Sequence, residues 1–407
     1  MNPAPKNNPL AEKVSAVLTD FTGWLDCYGE TSWDHQSYYA GPYGRRAKAL
    51  YYKSKYPGLA AVAPMVFSEA FVPAARRLFH HKIRLPIADA HYAMGFAFLH
   101  EATGEPAHLE KANHFLDVLE QTRCPAYQEY CWGYSFDWVT RNGIIKKGTP
   151  LITTTPYAFE AFLQVHRLRP SDGRKKIIES ITRHAVTDIK DFKYSAHGMT
   201  CSYTPHDEGK VINASAYRAG MLVTAAKFLG SEELMKTASA NVNFVLETQK
   251  PDGSWPYAVD GVRDFVDHFH TCFVMKGLAK VYLLTGDRRI YDALENGLNY
   301  YQRNLFSADG MPRPFSKAPR LTVYKCELYD CAEAINLALL LRKDFPQLEK
   351  TMETVIGGIV QDWIKLDGSF RSRKLISGWD NVPMHRWAQS QMFRALAFYL
   401  REINCRL

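Results

Sequence analysis

The sequence contains no stretch of eighteen consecutive apolar residues; the run Leu337–Leu341 is five long. A helix needs about 20 apolar residues to cross a bilayer, so a membrane span is not expected. No Cys-x-x-Cys spacing occurs among the eight cysteines Cys27, Cys124, Cys131, Cys201, Cys272, Cys326, Cys331 and Cys405. The first ten residues show no basic segment followed by an apolar one, so no export signal is expected. Together these absences point to a cytoplasmic protein with free thiols rather than a disulfide framework. No run of five like charges occurs either. A formal charge of +8 spread over 407 residues is too dilute to indicate nucleic acid, and it is compatible with an anionic substrate. What the chain holds in quantity is aromatic: 23 Tyr, 22 Phe and 8 Trp. That many rings suit a large core and also a wide polar cleft.

Turn signals recur with a period. Gly104, Ser171, Gly230, Gly286 and Phe345 mark successive turns spaced by 67, 59, 56 and 59 residues. A strongly apolar segment precedes each one: 90–102, 155–168, 215–229, 271–285 and 331–341. A more amphipathic segment follows, as in 288–305, where Ile290, Leu294, Leu298 and Tyr301 form one stripe. A helix apolar on all sides is buried, whereas a helix with a single stripe lies outside it. Alternation of the two predicts an all-α, single-domain (α/α) toroid over residues 1–407. Segment 385–403 reads as another inner helix with 10–25 as its outer partner. A further hairpin over 38–79, broken at Pro57-Gly58, leaves the count at six or seven. Strand-like alternation is confined to stretches near 194–203 and 255–259, which predicts small β-hairpins in loops.

Connections from inner to outer helices are short. Those from outer to inner are long, beginning near Cys124, Asp191, Gln249, Ser307 and Leu366, and they should share one face of the ring. Functional residues concentrate on such loops. Three of them open with Asp-Gly: Asp252-Gly253, Asp309-Gly310 and Asp367-Gly368. The pair is first of all a turn device, because glycine takes positive φ without penalty. The residues around these loops are suited to sugar: Tyr203, His206, Trp255, Tyr257, Arg313 and Arg371. Aromatic rings stack on a pyranose face, and an arginine fork matches a carboxylate.

Gln249-x-x-x-Gly253-x-Trp255 resembles one copy of the Gln–Trp repeat of terpene cyclases and prenyltransferases, themselves α/α toroids. The acidic clusters that ionise isoprenoids are absent, so those activities are set aside. The run from Gly253-Ser254-Trp255-Pro256 to Tyr282-Leu283-Leu284-Thr285-Gly286-Asp287 is similar to the helical domain of glucuronyl C5-epimerases. It is also similar to toroid proteins of bacterial surface-polysaccharide gene clusters. The resemblance implies a single toroid acting on an acidic oligosaccharide or polysaccharide.

The inner helices open with polar residues: Thr153-Thr154-Thr155, Asn213-x-Ser215-x-Tyr217, Asp267-His268-x-His270, Glu327-x-Tyr329-Asp330 and His385-Arg386. Thr155, Asn213 and Asp267 are accounted for by helix capping. His268, His270, Tyr329, His385 and Arg386 are poor caps and are candidates for function. Three chemistries can be built from the set. A Tyr or His can remove the C5 proton of a uronic acid while an Arg, Arg313 or Arg386, neutralises the carboxylate, giving an epimerase or lyase. A carboxylate pair that includes Asp330 can hydrolyse a glycoside. Zinc on Asp330-Cys331 with a histidine is disfavoured by the poor geometry of adjacent ligands. A glycan-binding scaffold without catalysis is the remaining alternative. The expectation is proton-transfer chemistry by His268 or His270 with Tyr329 and His385, with Asp330 as the catalytic carboxylate of the hydrolase alternative and with no metal or cofactor. His268 and His270 diverge by about 200° on a helix, so only one can face the lumen unless the helix starts between them, as the cap-like Asp267 allows.

Overall fold

The computed structural model describes residues 8–404. Seven cysteines are free thiols, Cys27 exposed and six others buried; Cys405 lies outside the described residues. Helix α1 (Pro9–Tyr28) is capped by the Asn8 side chain and buries the stripe Val14, Val17, Leu18, Phe21, Trp24 and Leu25. An excursion over residues 29–85 follows. It contains the short α2 (Ser37–Ala40), the hairpin α3 (Pro42–Lys53) and α4 (Lys55–Phe71), and the short α5 (Arg76–Phe79). Five helical hairpins come next. They are α6 (Pro86–Thr103) with α7 (Pro106–Gln121), α8 (Thr155–Leu168) with α9 (Asp172–Thr187), and α10 (Ile212–Leu229) with α11 (Glu232–Glu247). The last two are α12 (His268–Thr285) with α13 (Arg288–Asn304) and α14 (Leu328–Leu341) with α15 (Gln347–Asp362). A π-helical turn over His385–Gln389 leads into α16 (Ser390–Asn404).

The even-numbered helices from α6 to α16 are buried on nearly every side, and their outer partners bury one stripe each. Helix α16 packs on both α14 and α6, which closes the inner ring, while α1 lies against α15 and α16 as the sixth outer helix. The ring is therefore (α/α)6. The hairpin α3–α4 is not a seventh unit, because it packs around its own small core of Tyr38, Ala47, Val62 and Met65. Its break falls at Ser54 rather than at Pro57-Gly58, since proline is tolerated in a helix's first turn. Inner helices approach closely where side chains are smallest. A Cβ at Gly277 of α12 would lie 2.4 Å from the Ala216 carbonyl oxygen of α10.

The long connections are tied to one another all the way round. Ser135 Oγ donates to Arg84 O (2.7 Å), Ile152 N to Tyr203 O (3.0 Å) and Val259 N to Lys210 O (2.9 Å). Strand Val266–Asp267 pairs with Phe315–Lys317, and Tyr324–Glu327 pairs with Arg373–Leu375. His385 N donates to Ser32 Oγ (2.8 Å) and completes the circuit. Only loops sharing one face can be linked in this way, so the ring has a single elaborated mouth. Small antiparallel pairs also form within loops, as at Asp191–Lys193 with Met199–Cys201. The Asp-Gly pairs are turns: Asp252, Asp309 and Asp367 accept from Ser254 N, Met311 N and Ser369 N, with the glycines at φ +90, +78 and +85.

Candidate active site

Side chains of non-adjacent inner helices can touch only across the ring axis, and that criterion identifies the lumen. Lys276 of α12 donates to the Tyr157 hydroxyl of α8 (3.3 Å) and pairs with Glu333 of α14. Tyr157 shares a 2.5 Å hydrogen bond with Tyr217 of α10. Arg394 of α16 reaches Glu160 of α8 (3.4 Å) and His91 of α6 (3.3 Å), while Lys280 of α12 closes on Glu160. All six inner helices thus contribute to a polar plug. Burial, together with the charges of Arg394, Lys276 and Lys280, holds His91 well below the usual imidazole range. The plug is the floor of the mouth.

An aromatic shelf lies above it. Tyr329 sits 5.3 Å from Phe269, 5.9 Å from Phe273 and 4.7 Å from Trp387, centroid to centroid. Trp387 is carried by the π-helical turn, a feature frequent at functional sites. Its indole N–H donates to Glu327 Oε1 (2.6 Å), which also takes Arg373. Burial together with neighbouring Tyr157 and Glu333 keeps the Tyr329 phenol protonated well above its ordinary value. Its hydroxyl has no hydrogen-bond partner among the described residues.

Two imidazoles flank the shelf. His270 Nδ1 lies 2.6 Å from Asp267 Oδ2, while Asp267 Oδ1 caps α12 by accepting His270 N (2.9 Å). One carboxylate therefore fixes both the helix start and the ring, placing the proton on Nδ1 and leaving Nε2 free among the described residues. The His270 ring lies 4.6 Å from Tyr257 and 5.6 Å from Phe273. On the other side His35 packs 4.2 Å from Trp387, with Nδ1 3.3 Å from Asp34 and Nε2 2.8 Å from the Gln36 amide. Burial holds His35 well below its ordinary value despite Asp34, and the charges of Arg386, Arg373 and Lys48 add to the effect. Arg386 grips Asp34 through two bonds (2.9 and 2.6 Å) and covers the Tyr134 ring at 4.6 Å. Tyr203 completes the rim, accepting from Thr153 Oγ1 (3.0 Å) with Trp138 at 6.2 Å.

Of the residues singled out from the sequence, the mouth gathers His270, Tyr329, Tyr203, Tyr257 and Arg386. The others sit elsewhere. His268 turns outward from α12, as the helical step requires, with its nitrogens 3.1 Å from Leu305 O and 2.7 Å from the Tyr301 hydroxyl. His385 is held between Tyr92 (2.6 Å) and Gly29 O (2.9 Å), facing α1 and α6. Both imidazoles are enclosed with both nitrogens engaged, so neither is placed to meet a substrate or a zinc ion. Asp330 is fully buried, and neither of its oxygens has a hydrogen-bond partner among the described residues. Burial, with Glu327 and Cys326 nearby, pushes its pKa far up, so the acid is neutral. Trp255 is buried between helices; its N–H donates to Val245 O (2.9 Å), and a Cβ at Gly297 would touch the ring at 2.5 Å. That is a packing position rather than a sugar platform. His206 is exposed against Tyr127 (3.0 Å), Arg313 is exposed, and Arg371 lies over Trp379 with a bond to Asn381 (3.1 Å). None of these three meets the shelf. Sequence reasoning passed over Asp34, His35, Tyr134, Phe269 and Trp387. The aromatic density of residues 132–138 and the Trp33-Asp34-His35 cluster were the available signals.

Fold and mouth together define an (α/α)6 toroid with a polar lumen and an aromatic shelf. The same fold occurs in a cellobiose 2-epimerase from Bacillus thermoamylovorans (TM-score 0.63, 11% identity, 80% of this chain and 88% of that one). It occurs also in a polysaccharide lyase (0.55, 10%, 78% and 90%) and in an α-1,6-mannanase from Salegentibacter (0.57, 13%, 80% and 90%). At such identities the likeness is one of fold, and it takes in epimerase, lyase and hydrolase alike without singling out glucuronyl C5-epimerases. No protein-family model matches the sequence, and no curated protein matches it.

Proposed function

We propose that the chain is a carbohydrate-active enzyme that transfers a proton at a sugar carbon next to a carbonyl or carboxyl group, as an epimerase or a lyase does. The observation that carries this reading is the Asp267–His270 pair, a carboxylate-oriented imidazole with a free Nε2 beside an aromatic shelf. His270 is the base. Tyr329, protonated and without a partner, stands across Phe273 as the acid. Carboxylate-pair hydrolysis is less well served. Asp34 is bound to Arg386, Asp267 to His270 and Glu327 to Arg373, while Asp330 is neutral. An acidic sugar is the proposed substrate class. Among the described residues Lys48 of α3 donates only to the neutral Gln36 amide (3.1 Å), which in turn meets His35. Burial lowers Lys48 to about 7, and the neighbouring Arg320 and Arg386 charges add to this. The one carboxylate that acts on Lys48, Glu69, is itself taken by Arg373, so a bound carboxylate would add counter-charge there. The test is solvent-deuterium incorporation into uronate oligosaccharides and their neutral counterparts, which reads an epimerase, together with the absorbance of an unsaturated uronate product, which reads a lyase. His270→Gln and Tyr329→Phe should each lower exchange by roughly 10²–10⁴-fold. Asp267→Asn, which loosens the ring, should lower kcat with little change in KM. Normal exchange or elimination in all three, or release of reducing ends without an unsaturated uronate product, would overturn the assignment.

A further inference from the structure

We propose that the outer face of the α3–α4 hairpin docks the protein on an anionic lipid surface. Helix α4 is apolar on two sides. Gly58, Val62, Met65 and Ala70 face inward. Leu59, Ala63, Phe67 and Phe71, spaced every fourth residue, form a second stripe that is left exposed by the described residues. Leu59 is 47% exposed, Phe67 61% and Phe71 53%, and the two phenylalanine rings lie 5.0 Å apart. An unpartnered apolar stripe of this kind marks an interaction surface.

Charge selects the occupant. Residues 29–85 hold nine Lys and Arg against three acids, six of the chain's eight net positive charges. All three acids are consumed internally: Glu30 by Arg84 and His114, Asp34 by Arg386, and Glu69 by Arg373. Arg46, Lys53, Lys55 and Arg77 are exposed and form no ion pair among the described residues. Lys53 and Lys55 border the start of the stripe, and Arg77 lies beyond its end beside Leu78, which is 88% exposed. Apolar side chains ringed by cations, with no free acid, match the boundary between acyl chains and phosphate headgroups. No described helix is long and apolar enough to cross a membrane, so the attachment is peripheral. The excursion is clamped to the loops of the ring by Arg76 of α5 with Asp380 (2.7 Å) and by Glu69 of α4 with Arg373 (2.5 Å), so docking would attach the ring through these loops. The proposal is independent of the chemistry assigned to the candidate site.

Vesicle co-sedimentation of the full chain tests it. Binding is expected to phosphatidylcholine vesicles mixed with phosphatidylglycerol, weakening in salt, and not to phosphatidylcholine alone. Phe67→Ser with Phe71→Ser should lower partitioning at least about tenfold. Lys53→Gln with Lys55→Gln should lower it roughly tenfold or more. Both pairs should leave Tm unchanged, because the side chains are exposed. Unaltered binding in both variants would overturn the proposal, as would wild-type failure to bind. A phenylalanine variant that instead converts a dimer into a monomer would assign the face to a second copy of the chain and overturn it equally.

Discussion

His268 and His385 show how burial decides between catalysis and packing at a single residue. Each sits at the start of an inner helix, yet each uses both nitrogens to tie that helix to its surroundings. Burial lowers His268 to about 3 and His385 to about 4, against 6.5 for a free imidazole. The unfolded chain therefore binds more protons than the folded one between these values. The stability contributed by each neutral histidine is present above pH 6.5 and is lost as pH falls toward the folded pKa. Asp330 works in the opposite sense: its neutral form favours the folded state at low pH, and that contribution fades as pH rises above the ordinary carboxylate value. Comparison with the wild type isolates one group. His385→Gln is expected to lose overall stability. Its denaturation midpoint should nevertheless fall less steeply than the wild type's between pH 6.5 and 4.5, by about one proton. Equal slopes in urea titrations would mean that His385 is open to water. Residue types at the inner-helix starts were readable as polar; which of them face the axis was not. His268 and His270 are two positions apart, and only the exact helix start at Asp267 sends one outward and the other to the shelf.

At the level of elements, the sequence pattern was most informative for the inner helices, whose apolar runs match α8 end to end. It fell short by a turn at α10, α12 and α14, which begin at Ile212, His268 and Leu328 rather than at 215, 271 and 331. The missing turn is the one that lines the mouth, where polar residues interrupt the apolar run that betrays a core helix. The α3–α4 hairpin misled in the other direction, because two successive helices read as a further unit of the ring whether or not they pack into it. The Trp33-Asp34-His35 and 132–138 clusters were visible separately but not as one site, since the meeting of Asp34 and Tyr134 with Arg386 depends on contacts between distant connections. Helix seating can be tested at Gly277. An added methyl meets the Ala216 backbone oxygen at 2.4 Å, and a backbone atom cannot move aside as a side chain can. At Gly220 on the facing helix the closest approach is 3.2 Å. Gly277→Ala is expected to cost about 3 kcal/mol in urea unfolding, and Gly220→Ala distinctly less. Equal costs would place the α10–α12 contact elsewhere.

For the whole molecule, closure is the property that stabilises a ring, because each hairpin buries its face only against its neighbours. The closure here joins distant parts of the chain: α16 packs on α6, and α1 fills the outer layer beside α15 and α16. Phe21 of α1 stacks within 5.0 Å of Phe370 and 5.3 Å of Phe393, so the first helix meets both the last loop and the last helix. Six large apolar side chains of α1 are buried in that seam. At about 1.5–3 kcal/mol each, they contribute roughly 10 kcal/mol or more, as much as a folded protein's entire margin of stability. The excursion 29–85 stands differently, because its base is pinned by the Ser32–Ile83 bridge and its hairpin has a core of its own. Removal of residues 1–28 should therefore leave a chain that does not unfold cooperatively and that self-associates through the exposed seam. Calorimetry and light scattering read both outcomes. A peptide spanning residues 8–28, added in excess, should restore part of the transition by binding the open seam. A truncated chain that stays monomeric with the parent's melting temperature would show that the ring closes without α1, and that the seam between α15, α16 and α6 holds by itself.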